Sequence, residues 1–199
     1  GWRDVSEDKI DQILGEADSN QNNVIEFDEF LALFLSLSSG KSTNELAEIM
    51  TRNGKKITQI NSDRGTVHSY SAEEKSSFVE YVNFNLRDDP DLQHMLPIDP
   101  ETEDIFKVFQ SGVLLCKLVN IAVPGTIDER VINKGTTINI FKTKENLNLG
   151  LQASKSIGCK VISIYPEEII EGRPHLILGL LWQIVKIRAL SSVSLKSHP

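Results

Sequence analysis

Only two cysteines, Cys116 and Cys159, occur in the 199 residues, and isolated thiols of this kind exclude a disulfide-stapled scaffold and match a reducing, intracellular compartment. Twelve Gly and seven Pro are too few for a collagen-like or low-complexity chain. Long apolar runs are missing as well. The richest stretch, Leu176 to Leu190, is short and interrupted by Gln183, Lys186 and Arg188, and the start carries no basic patch followed by an apolar run. The pattern therefore predicts a chain that is neither secreted nor membrane-spanning. His68, His94, His175 and His198 are scattered without a partner at metal or triad spacing, and no phosphate-cradling loop occurs, so nothing indicates an enzyme. The 40% hydrophobic content suits a globular core, enough for one generous domain or a compact domain with a smaller module.

The net charge of −7 is unevenly placed. Residues 1–40 hold two basic and nine acidic side chains, a net of −7. Residues 41–70 hold five and three, a net of +2, and residues 71–199 hold fourteen and sixteen, a net of −2. An acidic segment followed by a basic one invites a cation or an intramolecular partner. It argues against nucleic acid, whose phosphates require a basic field.

The pattern predicts an all-α chain. Ser6 followed by Glu7 and Asp8 reads as a helix start, and Ile10, Ile13, Leu14 and Ala17 form one stripe. A second helix over Phe27 to Leu37 is too apolar to stand in solvent. From Ser38 to Tyr70 the composition shifts to Ser, Thr, Asn, Gly and Lys, a linker signature in which Lys56 to His68 is expected to be mobile. Ser71-Ala-Glu-Glu74 has capping-box spacing and opens a helix to Leu86, with Phe78, Val79, Val82 and Leu86 inward and Asp88, Asp89 and Pro90 ending it. Further helices are expected at Asp104 to Phe109, Gly112 to Ile121, Lys144 to Ile157 and Pro174 to Leu190. The last is apolar on nearly every face, so it is expected at the centre, with Trp182 in the core.

Between the first two helices lies Asp18-Ser-Asn-Gln-Asn-Asn-Val-Ile-Glu-Phe-Asp-Glu29, twelve residues with oxygen side chains at positions one, three, five, nine and twelve. Calcium takes six to eight hard oxygen ligands. This spacing wraps Asp18, Asn20, Asn22, the carbonyl of Val24, Glu26 through water and a bidentate Glu29 around one Ca2+ ion. The loop resembles an EF-hand. Asn23 stands where Gly is expected, and Asn20 and Asn22 replace carboxylates, so three acids face the ion and affinity is expected to fall. The alternative is a helix–loop–helix kept only for its shape. The absence of an initiator Met predicts that a partner loop precedes Gly1 in a longer protein.

Within the linker, Asn44 to Asn53 carries Leu46, Ala47, Ile49 and Met50 on one side, ends at Gly54 and is followed by Lys55 and Lys56. A short amphipathic helix with a basic end suits the acidic EF-hand segment, so the chain's own linker helix is a candidate partner through Leu46, Ile49 and Met50. A solvated linker is the alternative.

Residues 71–191 resemble a calponin-homology domain. The resemblance rests on Thr126-Ile-Asp-Glu-Arg-Val-Ile-Asn133, Lys144-Glu-Asn-Leu-Asn-Leu149, Ile157-Gly-Cys159 and Gly179-Leu-Leu-Trp-Gln-Ile-Val185. With the EF-hand segment in front and His68-Ser-Tyr-Ser71 at the junction, the chain resembles the amino-terminal part of the fimbrin (plastin) family. That resemblance divides it into an EF-hand segment (1–40), a linker with a helix near 44–53 (41–70), the first calponin-homology domain (71–191) and a tail (192–199). It implies a fragment of an actin-bundling protein of the cytoplasmic actin cytoskeleton, binding filamentous actin under calcium control. It also implies actin contacts on the domain's first helix, near the helix opened by Lys144 and on the last helix, where Tyr81, Lys142, Lys144 and Lys186 stand. The rival reading is a calcium sensor whose target is its own linker helix, with the helical domain as an anchor.

Overall fold

The computed structural model describes residues 15, 17, 18, 22, 33 and 34, then 57–61 and 67–194. Asn20, Val24, Glu26 and Glu29 of the twelve-residue loop, and Leu46, Ile49 and Met50 of the linker, lie outside the described residues.

The stretch from Lys56 to His68, expected to be mobile, instead contributes to a β-hairpin. Strands β1 (Ile57–Asn61) and β2 (Val67–Ser71) pair antiparallel, with Ile57 opposite Ser71 and Asn61 opposite Val67. Ile57, Thr58, Ile60 and Val67 are β-branched and favour extended backbone. An isolated two-stranded hairpin is marginal in water, and here the anchor is tertiary. Tyr70 is buried, its ring meets Phe106 edge-on at 6.1 Å between centroids, and its hydroxyl donates to Glu103 Oε2 at 3.1 Å. Linker-like composition carried no trace of that anchor.

β2 leads directly into helix α1 (Ala72–Leu86), which buries Phe78, Val79, Tyr81, Val82 and Leu86. Past its end the Asp89 N–H donates to the Leu86 carbonyl at 3.0 Å, and Asp89 Oδ1 accepts from the Asp91 N–H at 2.9 Å. Side-chain oxygens thus replace the helical ladder and stop the helix where the Asp-Asp-Pro sequence predicts. Helices α2 (Asp104–Phe109), α3 (Val113–Ala122), α4 (Ile140–Ser156), α5 (Pro166–Ile170) and α6 (Pro174–Ser194) follow, with a 3₁₀ turn at Glu129–Val131.

Two helices share the centre expected of the last alone. In α3 every residue from Val113 to Val119 is buried, and it packs on α2, α4 and α6. From α6, Ile177, Leu178, Leu180, Leu181, Ile184, Val185 and Ala189 complete the core. Trp182 is only partly buried, packed at the core's edge, which corrects the central place expected for it. α6 also continues to Ser194, past the expected end at Leu190; no Gly or Pro stands there to stop it. Among the described residues no helix is long and apolar enough to cross a membrane.

Candidate functional site

The candidate surface begins at the loop before α4. Asn139 has extended backbone, and its side-chain oxygen accepts from the Lys142 N–H at 3.0 Å. This N-cap starts α4 at Ile140, four residues before Lys144, so Lys144 does not open the helix as expected. The cap also decides what faces solvent: Ile140 is 50% exposed and Phe141 76% exposed. Large apolar side chains in solvent are unremarkable singly, but two in succession make this helix start a candidate interaction surface.

The loop presenting them is held from two sides. On one side, Lys117 of α3 is 5% exposed and its ammonium is ringed by Asp89 Oδ2 at 3.0 Å, Asp91 Oδ2 at 2.7 Å and Glu129 Oε2. Lys134 joins at 2.7 Å from Asp91 and 3.2 Å from Glu129. Desolvation alone would push the Asp91 and Glu129 carboxyls up, but hydrogen bonds and charge from Lys117 and Lys134 outweigh it and hold both below the ordinary carboxylate value. Desolvation likewise disfavours the Lys117 cation, and its bonds to Asp91, Glu129 and Asp89 reverse the balance and raise its pKa. On the other side stands fully buried Asn146. Its Nδ2 donates to the carbonyls of Asn133 at 2.9 Å and Ser111 at 3.2 Å, while its Oδ1 accepts from the Asn133 N–H at 2.8 Å. The Thr126–Asn133 and Lys144–Leu149 motifs therefore meet: Glu129, Asn133 and Asn146 are the residues that clamp the loop to the core.

The four residues expected at a filament contact fare differently. Tyr81 is 1% exposed, and burial pushes its hydroxyl up to about 12 against the opposing charge of Arg188. It is a core residue, and the surface role expected of it is withdrawn; α1 turns it inward with Phe78 and Val82. Lys142 is exposed on the first turn of α4. Lys144 lies one turn from Ile140 and Phe141, and its ammonium is paired with Glu167 Oε1 of α5 at 2.7 Å, a bond that holds the Glu167 carboxyl below its ordinary value. Lys186, on α6, stacks its ammonium 5.1 Å from the centre of the Trp182 ring. Lys142 and Lys144 thus share one helix end, while Lys186 is held on another helix. Phe141 and Ile140 were missed because residues 134–143 read as loop; the signal was Asn139, an N-cap residue three positions before Lys142.

Of the expected calcium ligands, Asp18 and Asn22 are described. The Asn22 N–H donates to Asp18 Oδ1 at 3.1 Å, which folds position five of the loop back onto position one. A carboxylate turned towards the loop backbone is compatible with a site for a hard cation. Among the described residues no group of three or more His, Cys, Asp or Glu is arranged to hold a metal ion.

The described residues thus form a helical domain with two central helices, whose capped α4 start presents a partly apolar, partly basic candidate binding surface. The family model of the calponin homology (CH) domain matches residues 72–189, and the chain belongs to that family. It is similar to Plastin-3 of Danio rerio, 43% identical over 196 residues covering 95% of this chain and 31% of that protein. Plastin-1 of Homo sapiens is 41% identical over 194 residues, with 95% of this chain and 30% of that protein covered. Among solved structures, the actin-crosslinking core of Schizosaccharomyces pombe fimbrin matches with a TM-score of 0.60 and 40% identity, covering 63% of this chain and 27% of that one. The chain spans about a third of the length of the curated relatives it matches.

Proposed function

We propose that this chain is a filamentous-actin-binding portion of a longer, fimbrin-like cross-linking protein of the cytoplasmic actin cytoskeleton, acting as a binding module rather than an enzyme. The observation that carries this reading is the solvent-facing Ile140–Phe141 pair at the capped start of α4, supported by the similarity to plastins and to an actin-crosslinking fimbrin core. Apolar anchors supply desolvated contact area, while Lys142, Lys144 and, from α6, Lys186 add positive charge suited to encounter with an acidic filament. The test is cosedimentation with actin filaments. Phe141→Ala is expected to weaken binding roughly tenfold or more, the effect of losing a buried aromatic anchor. Its unfolding curve should not move, since the ring is 76% exposed. A wild-type chain that stays in the supernatant, alone and within its longer protein, overturns the reading.

Calcium control belongs to the same proposal. Asp18, Asn20, Asn22, the Val24 carbonyl, Glu26 and Glu29 would hold the ion, and the linker helix with Leu46, Ile49 and Met50 would be the target of the loaded segment. Titration calorimetry of the full chain and of Glu29→Gln tests this half separately: the variant should lose most of the calcium heat, and equal heats would remove Glu29 from the site.

A further inference from the structure

The two cations at the start of α4 stand in different states. Lys142 is exposed and makes no ion pair among the described residues. Lys144 is already committed: its ammonium lies 2.7 Å from Glu167 Oε1, across the seam between α4 and α5. Neither side chain is buried, with Lys144 44% and Glu167 57% exposed. An exposed pair of this kind gains little over water and is easily exchanged, yet while it lasts it cancels one of the two positive charges of this helix end. Glu167 itself does not leave. Pro166 opens α5 and Glu167 follows in its first turn, where the carboxylate also accepts from its own backbone N–H. With Lys144 withdrawn, Glu167 therefore remains as an ionised carboxylate beside the site the lysine has left. The acid on α4 itself, Glu145, is engaged elsewhere, its Oε2 accepting from Asn133 Nδ2 at 3.1 Å.

We propose that Glu167 is a specificity residue of the α4 surface, an intramolecular competitor that holds Lys144 and yields it only to a partner whose carboxylates bind the lysine better. The inference rests on the filament reading above and names what sets its selectivity. A strongly acidic filament can take Lys144, whereas a neutral or weakly acidic surface meets a helix end whose one uncommitted cation is Lys142, with Glu167 repelling a lone carboxylate. The magnitude follows from the exposure of the pair: a surface ion pair holds its partners by a factor of about two to five, and an acidic partner loses about that factor in displacing Glu167.

The test is cosedimentation with actin filaments, of the full chain or of its longer protein. Glu167→Gln keeps the length of the side chain and should bind about two- to fivefold more tightly, with an unchanged unfolding curve. The gain should shrink as salt rises from about 50 to about 200 mM, since screening weakens both competing contacts. Glu101→Gln makes the same change in net charge at an exposed position before α2 and should leave the affinity within about 1.5-fold. In a Lys144→Met background Glu167→Gln should lose most of its gain, because the competitor has nothing left to hold. No tightening by Glu167→Gln, an equal tightening by Glu101→Gln, or an equal gain with and without Lys144 would each overturn the competitor while a pelleting wild type keeps the filament reading. A wild type that stays in the supernatant in both forms overturns the filament reading, and the competitor with it.

Discussion

Replacing Gly112 and Gly125 by Ala separates two effects usually confounded at glycines. Both have left-handed backbone, with φ of 75° and 78°. They differ in their surroundings. A Cβ on Gly125 would meet nothing within 4 Å, whereas on Gly112 it would lie 2.8 Å from Asn146 Cβ and 2.8 Å from the Leu147 backbone nitrogen. Left-handed backbone costs an L-residue about 1–2 kcal/mol, and Ala recovers about 0.4–1 kcal/mol through the less flexible unfolded chain. Gly125→Ala should therefore destabilise by about 1 kcal/mol. Gly112→Ala bears the same terms plus overpacking, about 1–3 kcal/mol, and the atoms it meets belong to α4 itself, so no side-chain rotation relieves the clash. It should destabilise by about 2–4 kcal/mol. Urea denaturation followed by far-ultraviolet circular dichroism measures both, with unchanged slopes confirming that the unfolding reaction is the same. Equal losses in the two variants would refute the claim that α3 and α4 are held in contact at Gly112.

The Lys117 network makes a signed prediction about pH. The Asp91 and Glu129 carboxyls lie below their unfolded values of about 3.9 and 4.3. Their stabilisation is therefore present above that range and lost as pH falls through it towards the folded values. The Lys117 contribution is complete below its unfolded value of about 10.4 and is lost only as pH rises through its higher folded value. Lys117→Met leaves Asp89, Asp91 and Glu129 together with only Lys134, so it should destabilise by about 3–5 kcal/mol at pH 7. Protonation relieves that repulsion, and the deficit should shrink by pH 4; a deficit that is constant or growing contradicts the assignment. Asn146→Ala removes the partners of the Asn133 N–H and carbonyl and of the Ser111 carbonyl, which predicts a loss of about 3 kcal/mol in thermal or urea unfolding. A loss under 1 kcal/mol would mean that water substitutes freely in this clamp.

The helices α1, α3 and α6 were legible from the chain because each carries apolar residues at helical spacing and meets a breaker of its own: Asp-Asp-Pro after α1, Gly112 before α3, Gly172 before α6. Period and punctuation are local, so sequence alone determines them. The oxygen spacing of the twelve-residue loop is likewise written in consecutive positions, and the calcium site read from it is a proposal. Tertiary structure decided the rest. The hairpin exists because Tyr70 finds Phe106 and Glu103, more than thirty residues away. Tyr81 could equally have faced either way from its position in the first helix, and only the packing of α1 turned it inward. Lys117, set in an apolar helix, gave no hint of partners drawn from Asp89, Asp91 and Glu129. Helix spacing says which residues share a face, but the free energy of burying a face depends on what the remainder of the chain brings against it, and that is known only once the chain has folded.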